Sequence, residues 1–93
     1  MSKPYMISYD LNSPGQKYEK VKEVIVNFGG AYIKPQNSFW LVRNNLTPNE
    51  MNDRLMAVTD KTDRIFICEL LPNYQGVETN ENWEWIKEHI FDI

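Results

Sequence analysis

The stretch that most constrains this chain is Tyr5-Met6-Ile7-Ser8-Tyr9-Asp10-Leu11, an apolar run that ends in a carboxylate and breaks into Asn12-Ser13-Pro14-Gly15. Alternation puts Tyr5, Ile7, Tyr9 and Leu11 on one face of a strand and Met6, Ser8 and Asp10 on the other. An acidic side chain at the last turn of a strand, just before a loop, can reach solvent and a cation without being buried. The first face needs a cover.

The rest of the chain supplies the cover. Asn12-Ser13-Pro14-Gly15 is a turn by its chemistry. A helix is expected from about Gln16 to Phe28, with Tyr18, Val21, Ile25 and Phe28 on one face and Gly29-Gly30 as its stop. Ala31-Tyr32-Ile33-Lys34 and Ser38-Phe39-Trp40-Leu41-Val42 read as a hairpin joined through Pro35-Gln36-Asn37. Thr47-Pro48-Asn49-Glu50 is a capping box with proline at the first helical position, and Leu46 and Met51 are spaced as a hydrophobic staple. Met51, Leu55 and Val58 give that helix its buried stripe. Arg64 to Leu71 is a fourth strand, apolar on both sides, so both of its faces are expected to be covered. A last helix runs from about Asn80 to Phe91. Trp83 and Trp85 fall on opposite sides of it, so one of them is expected to dock on a partner or on the open side of the sheet.

The order β-α-β-β-α-β plus a terminal helix predicts an α+β fold of the ferredoxin-like type. Its four-stranded antiparallel sheet carries two helices on one face. Ninety-three residues make one domain over 1–93, with a core at 4–71 and an extension at 72–93. A chain this short buries about two-thirds of its unfolded surface, and it often hides the remaining apolar area in a homodimer. The open sheet face, with Met6, Ser8 and Asp10, needs either the terminal helix or a second subunit over it.

The charge balance narrows the function. The net charge is −3, but residues 1–43 carry six basic side chains against three acidic, and residues 44–93 carry four against ten. That is not the basic stripe of a tight duplex binder. Only Lys17, Lys20 and Lys22 form a basic group, and lysines on an exposed helix face ordinarily serve solubility. Cys68 stands alone, which excludes an intrachain disulfide and a cysteine-based zinc site; its apolar strand predicts a buried thiol. No segment has the apolar length of a membrane span, and the expected compartment is the cytoplasm.

Tyr9-Asp10-Leu11, Pro14-Gly15-Gln16, Trp40-Leu41-Val42 and Asp63-Arg64-Ile65, in this order and spacing, resemble a known family. It is that of the small CRISPR-associated spacer-acquisition proteins and their SinR-like and VapD-like relatives. The likeness covers roughly residues 4–71, and the Trp83–Ile90 tail loosely. It implies a homodimer in which two first-strand aspartates face each other. In some members that pair holds Mg²⁺ or Mn²⁺ for phosphodiester cleavage, while other members are silent scaffolds. Carried over by position, Asp10 is the catalytic and metal-binding residue. Tyr9, Lys17 and Lys20 are candidate contacts for single-stranded RNA. The sequence departs from the nuclease pattern in having no arginine soon after the first strand, and lysine is a point charge where arginine is a fork.

Read from the residues alone, Asp10 has a competing role as the cap of its own loop, bonding the Asn12-Ser13 backbone. One chain offers it no sequence-adjacent acidic partner, so a metal would need one carboxylate from each of two chains. His89 reads as a helix-end cation and not a general base. Trp40, Trp83, Trp85, Phe39 and Tyr32 could stack bases, although core and interface packing is their commoner use. Three functions follow: a metal-dependent endoribonuclease, a silent dimeric module for a protein partner, and an RNA binder without cleavage.

Overall fold

A computed structural model describes residues 1–12 and 14–92, with residues 14–16 described by their backbone alone. The elements are β1 (Lys3–Asp10), α1 (Pro14–Val26), β2 (Ala31–Gln36), β3 (Phe39–Asn44), α2 (Pro48–Met56), β4 (Arg64–Glu69) and α3 (Asn80–Trp85). A π-helical turn, Ile86–Ile90, continues α3. Helix α1 begins and ends two residues earlier than its periodicity predicts, and Ser13 of the predicted turn lies outside the described residues. The chain is an α+β fold around a four-stranded antiparallel sheet of order β2-β3-β1-β4.

Strand β1 is bonded along both edges. Ile7 sits opposite Trp40 of β3 and Ile67 of β4, and Tyr5 sits opposite Val42 and Glu69. The alternation read from the sequence is realised: Tyr5, Ile7, Tyr9 and Leu11 are buried with Val21 and Ile25 of α1 and Met51 and Leu55 of α2. Both helices therefore lie on one face of the sheet. Each fully buried aliphatic side chain there contributes about 1.5–3 kcal/mol. The buried Trp40 donates its indole N–H to the Tyr9 hydroxyl at 2.9 Å, so neither polar atom is left unpaired. The capping box is present as read: the Glu50 N–H donates to Thr47 Oγ1 at 3.1 Å, and the Thr47 N–H donates to Glu50 Oε1 at 2.9 Å.

The opposite face is only half covered. Ile86, Ile90 and Phe91 pack on Ala31, Ile33 and Leu41, which closes the β2–β3 side. The Phe91 N–H donates to the Ile86 carbonyl, five residues back, at 3.1 Å. That wider turn brings Phe91 onto the face of Ile86, where an α-helix would rotate it away. It also revises the reading of the tail: Trp83 and Trp85 both pack against this one cluster. Arg43 pins the arrangement, donating from Nη1 to the Ile90 carbonyl at 2.8 Å and from Nε to Ser2 Oγ at 3.0 Å.

The β1–β4 side stays open, which corrects two expectations. Cys68 is exposed, and β4 is not covered on both faces, since Phe66 keeps 65% of its surface in solvent. Ile65 and Ile67 do pack under the helices. Phe66 and Cys68 alternate to the other side of an edge strand that the terminal helix does not reach.

Gly29 and Gly30 both have positive φ, as a helix stop requires, but only Gly30 is also crowded: a Cβ there would overlap the Arg43 carbonyl. Gly30→Ala should cost about 3 kcal/mol or more, and Gly29→Ala about 1 kcal/mol, the price of a left-handed conformation alone. Denaturant titration of the two variants checks this. Equal losses would show that the strand–turn approach is not the constraint.

Candidate functional site

The face of the sheet that carries the terminal helix has three cross-strand rows, set by the register of β1 with its neighbours and open on the β1–β4 side. Leu41, Met6 and Cys68 form the first, with Leu41 under the terminal helix, and Phe39, Ser8 and Phe66 the second. Asp10 and Arg64 form the third, at the end of the sheet. The first two rows are apolar apart from the serine. The third places a carboxylate and a guanidinium on directly opposed residues, whose Cβ atoms lie about 5 Å apart in such pairs. Both are exposed.

The Ser13 half of the cap expected of Asp10 lies outside the described residues, and Asp10 does not take the Asn12 N–H. That role belongs to Asp63, which accepts the Asn12 N–H on Oδ1 at 2.7 Å and the Asp60 N–H on Oδ2 at 2.9 Å. Lys17 closes the same network, donating from Nζ to Asp60 Oδ2 at 2.7 Å and to Asp63 Oδ2 at 3.0 Å. The Asp63 side chain is fully buried, and the two backbone N–H donors with the Lys17 ammonium hold its carboxyl well below its usual value, at about 2. The hydrogen bonds it donates to Asp60 and Asp63 push the Lys17 ammonium up.

The sequence-assigned contacts therefore separate. Lys17 is bonded to two carboxylates, so its charge is already answered within the fold. Tyr9 is buried at 7% exposure under the helices, where burial pushes its phenol up. Its ring faces the core and offers no surface for a base to stack on. Lys20 is exposed on α1, on the helical side of the sheet. Among the described residues no group of three or more His, Cys, Asp or Glu side chains comes together.

The aromatic candidates are largely engaged with one another. Tyr74 stacks between Trp83, at 5.6 Å, and Phe91, at 4.7 Å, and Trp85 stacks on His89 at 4.6 Å. An open concavity of about 590 Å³ beside Tyr74 and Trp83 consequently offers no free face of Tyr74. Phe66 is the exposed aromatic of the open half, and sequence reading passed over it. It passed over Arg64 too, although a fourth strand antiparallel to β1 must start opposite the end of β1.

No family model matches the chain, and no curated protein matches it. Among solved structures it is similar to the crystal structure of a hypothetical protein, TT1823, from Thermus thermophilus. The two superpose with a TM-score of 0.65 at 14% sequence identity, over 85% of this chain and 94% of the other. That likeness supports the fold.

Asp63 has a lowered pKa, so its contribution to stability is present above its unfolded value near 3.8 and is lost as pH falls toward about 2. The stability gap between wild type and Asp63→Asn should therefore be constant above about pH 5. It should shrink through the acid range. Urea titrations at a series of pH values measure it, and a gap that does not change with pH would remove the carboxylate's role as loop cap.

Proposed function

We propose that the chain works as a homodimer whose subunits meet over the uncovered half of the sheet, and that it is a metal-dependent endoribonuclease acting on single-stranded RNA. The observation that carries this reading is Asp10: exposed, unbonded among the described residues, and set at the rim of an apolar half-face that includes Phe66 and Cys68. An interface over the two apolar rows would shield that surface and leave the Asp10 row at its edge. The topology is read as ferredoxin-like, supported by the strand order, with both connecting helices on one face. The relationship to the CRISPR-associated and VapD-like proteins is part of the same proposal.

One subunit supplies a single carboxylate, so Mg²⁺ or Mn²⁺ fits these residues only as an ion shared by the Asp10 side chains of two copies. Water and substrate oxygens would complete its shell. When bound, the ion would stabilise developing negative charge and activate a water. Asp10 contributes oxygen ligands held at a fixed strand end. A cytoplasmic setting suits the exposed, unpaired Cys68 thiol.

The second reading is a silent dimeric module with a protein partner. It is favoured by the absence, among the described residues, of any group of three or more His, Cys, Asp or Glu side chains in one subunit. It also gains from the engagement of Lys17 by Asp60 and Asp63. The fold and the interface are common to both readings; cleavage separates them.

Labelled single-stranded RNA and double-stranded DNA, incubated with wild type and Asp10→Ala in Mg²⁺, Mn²⁺ or EDTA, should show metal-dependent cutting of the RNA by wild type alone. Identical background in both proteins would leave the silent module. Sedimentation should find wild type dimeric and Phe66→Glu monomeric, with the subunit fold intact because Phe66 faces solvent within one chain. A wild type that stays monomeric at all concentrations would sink the shared site.

A further inference from the structure

We propose that Arg64 is the phosphate anchor of the Asp10 face, an assignment that rests on the nucleic-acid reading above and supplies the arginine that the sequence lacks near its first strand. The register places Arg64 directly across from Asp10 on the same side of the sheet. Its Nη1 donates to the carbonyls of Lys61 and Asp63, at 3.3 and 3.2 Å. Those two bonds hold the guanidinium at the strand's start without neutralising it, because carbonyls carry no net charge. Among the described residues it forms no ion pair, neither with Asp10 nor with any other carboxylate.

The free edge, Nε and Nη2, is the side of a guanidinium that grips two oxygens of one phosphate. Lys17 cannot compete for this duty, since two carboxylates already hold it. Lys61, exposed three residues before Arg64, adds positive charge to the same end of the sheet. A phosphodiester seated on Arg64 would lie at the same end of the sheet as the Asp10 carboxylate. The same residues would hold a free phosphate group less well, because one oxygen pair of an extended backbone is only one of several contacts along a strand. The row's position at the end of the sheet keeps it open when the two apolar rows are covered by a second copy.

The test is binding of a fluorescently labelled single-stranded RNA in EDTA, followed by polarisation over a salt series. It compares wild type, Arg64→Gln, Arg64→Lys and Lys22→Ala, Lys22 being an exposed lysine of α1. Arg64→Gln keeps an N–H donor for the two carbonyls, so thermal melting should report an intact fold. Its affinity should fall about tenfold, and its salt dependence should lose about 0.7 of a logarithmic unit per logarithmic unit of salt, one phosphate contact on a single strand. Arg64→Lys should recover part of the affinity, as a point charge without the fork. Lys22→Ala should bind as wild type.

Equal affinity and equal salt slope for wild type and Arg64→Gln overturn the assignment, as does a wild type that does not bind RNA. Cleavage distinguishes the two proposals. Binding that depends on Arg64 without metal-dependent cutting ends the nuclease reading and leaves the anchor standing. Cutting that Arg64→Gln performs as well as wild type ends the anchor and leaves the nuclease.

Discussion

Strand β1 is hydrogen-bonded on both sides, and every other placement in the molecule follows from that. Because β3 and β4 run antiparallel along its two edges, each residue from Tyr5 to Ser8 has one partner on either side, and the side-chain period of two sorts the three strands into facing rows. A slip of one residue would send Tyr5, Ile7 and Tyr9 to the open side and strand their apolar area in water. The cost of that slip specifies the register, and the register brings Arg64 to Asp10. The Asp10–Arg64 row is a by-product of how the core is secured.

The two faces of the sheet are secured differently. The first is closed by two helices whose stripes were built for it, with Met51 and Leu55 fully buried beneath α2. The second depends on a short tail that covers only two strands. That tail is held by a π-helical turn, by Arg43 reaching the Ile90 carbonyl, and by Tyr74 between Trp83 and Phe91. Aromatic stacking of this kind is worth about 0.5–1.5 kcal/mol per pair beyond area burial. That tail does not reach across Phe66 and Cys68 on the β1–β4 side. An exposed Phe66 on an edge strand is the result, and an uncovered apolar edge is the usual starting point for association.

Much of this was legible in the residues. The capping box at Thr47–Glu50, the glycine stop after α1, the alternation of 5–11 and the β-α-β-β-α-β order are all local signals, and local signals survive folding. The failures are non-local. An apolar run such as Ile65-Phe66-Ile67-Cys68 reads the same whether one or both of its faces are covered. Only the reach of the last helix decides that Cys68 lies in solvent. The loop after β1 is capped by an aspartate 51 residues away, which no turn rule can see. Asp60-Lys61-Thr62-Asp63 reads as a polar helix stop, yet two of its carboxylates take Lys17 out of the basic group seen in the sequence. The widened turn at Ile86–Ile90 escaped for a related reason, since helical periodicity assumes one pitch throughout.

The same non-local logic reverses the electrostatic argument about function. Counting charges along the chain finds lysines on the first helix and no arginine beside Asp10, which weighs against phosphate recognition. Folding takes one of those lysines into an acidic network on the helical side and, among the described residues, leaves the sheet side with a guanidinium bonded to neutral carbonyls. Among the described residues Asp63 is buried and partnered, while Asp10 is exposed and makes no hydrogen bond. Asp63 locks the β1–α1 and α2–β4 loops together, so the Asn12 N–H is held without Asp10.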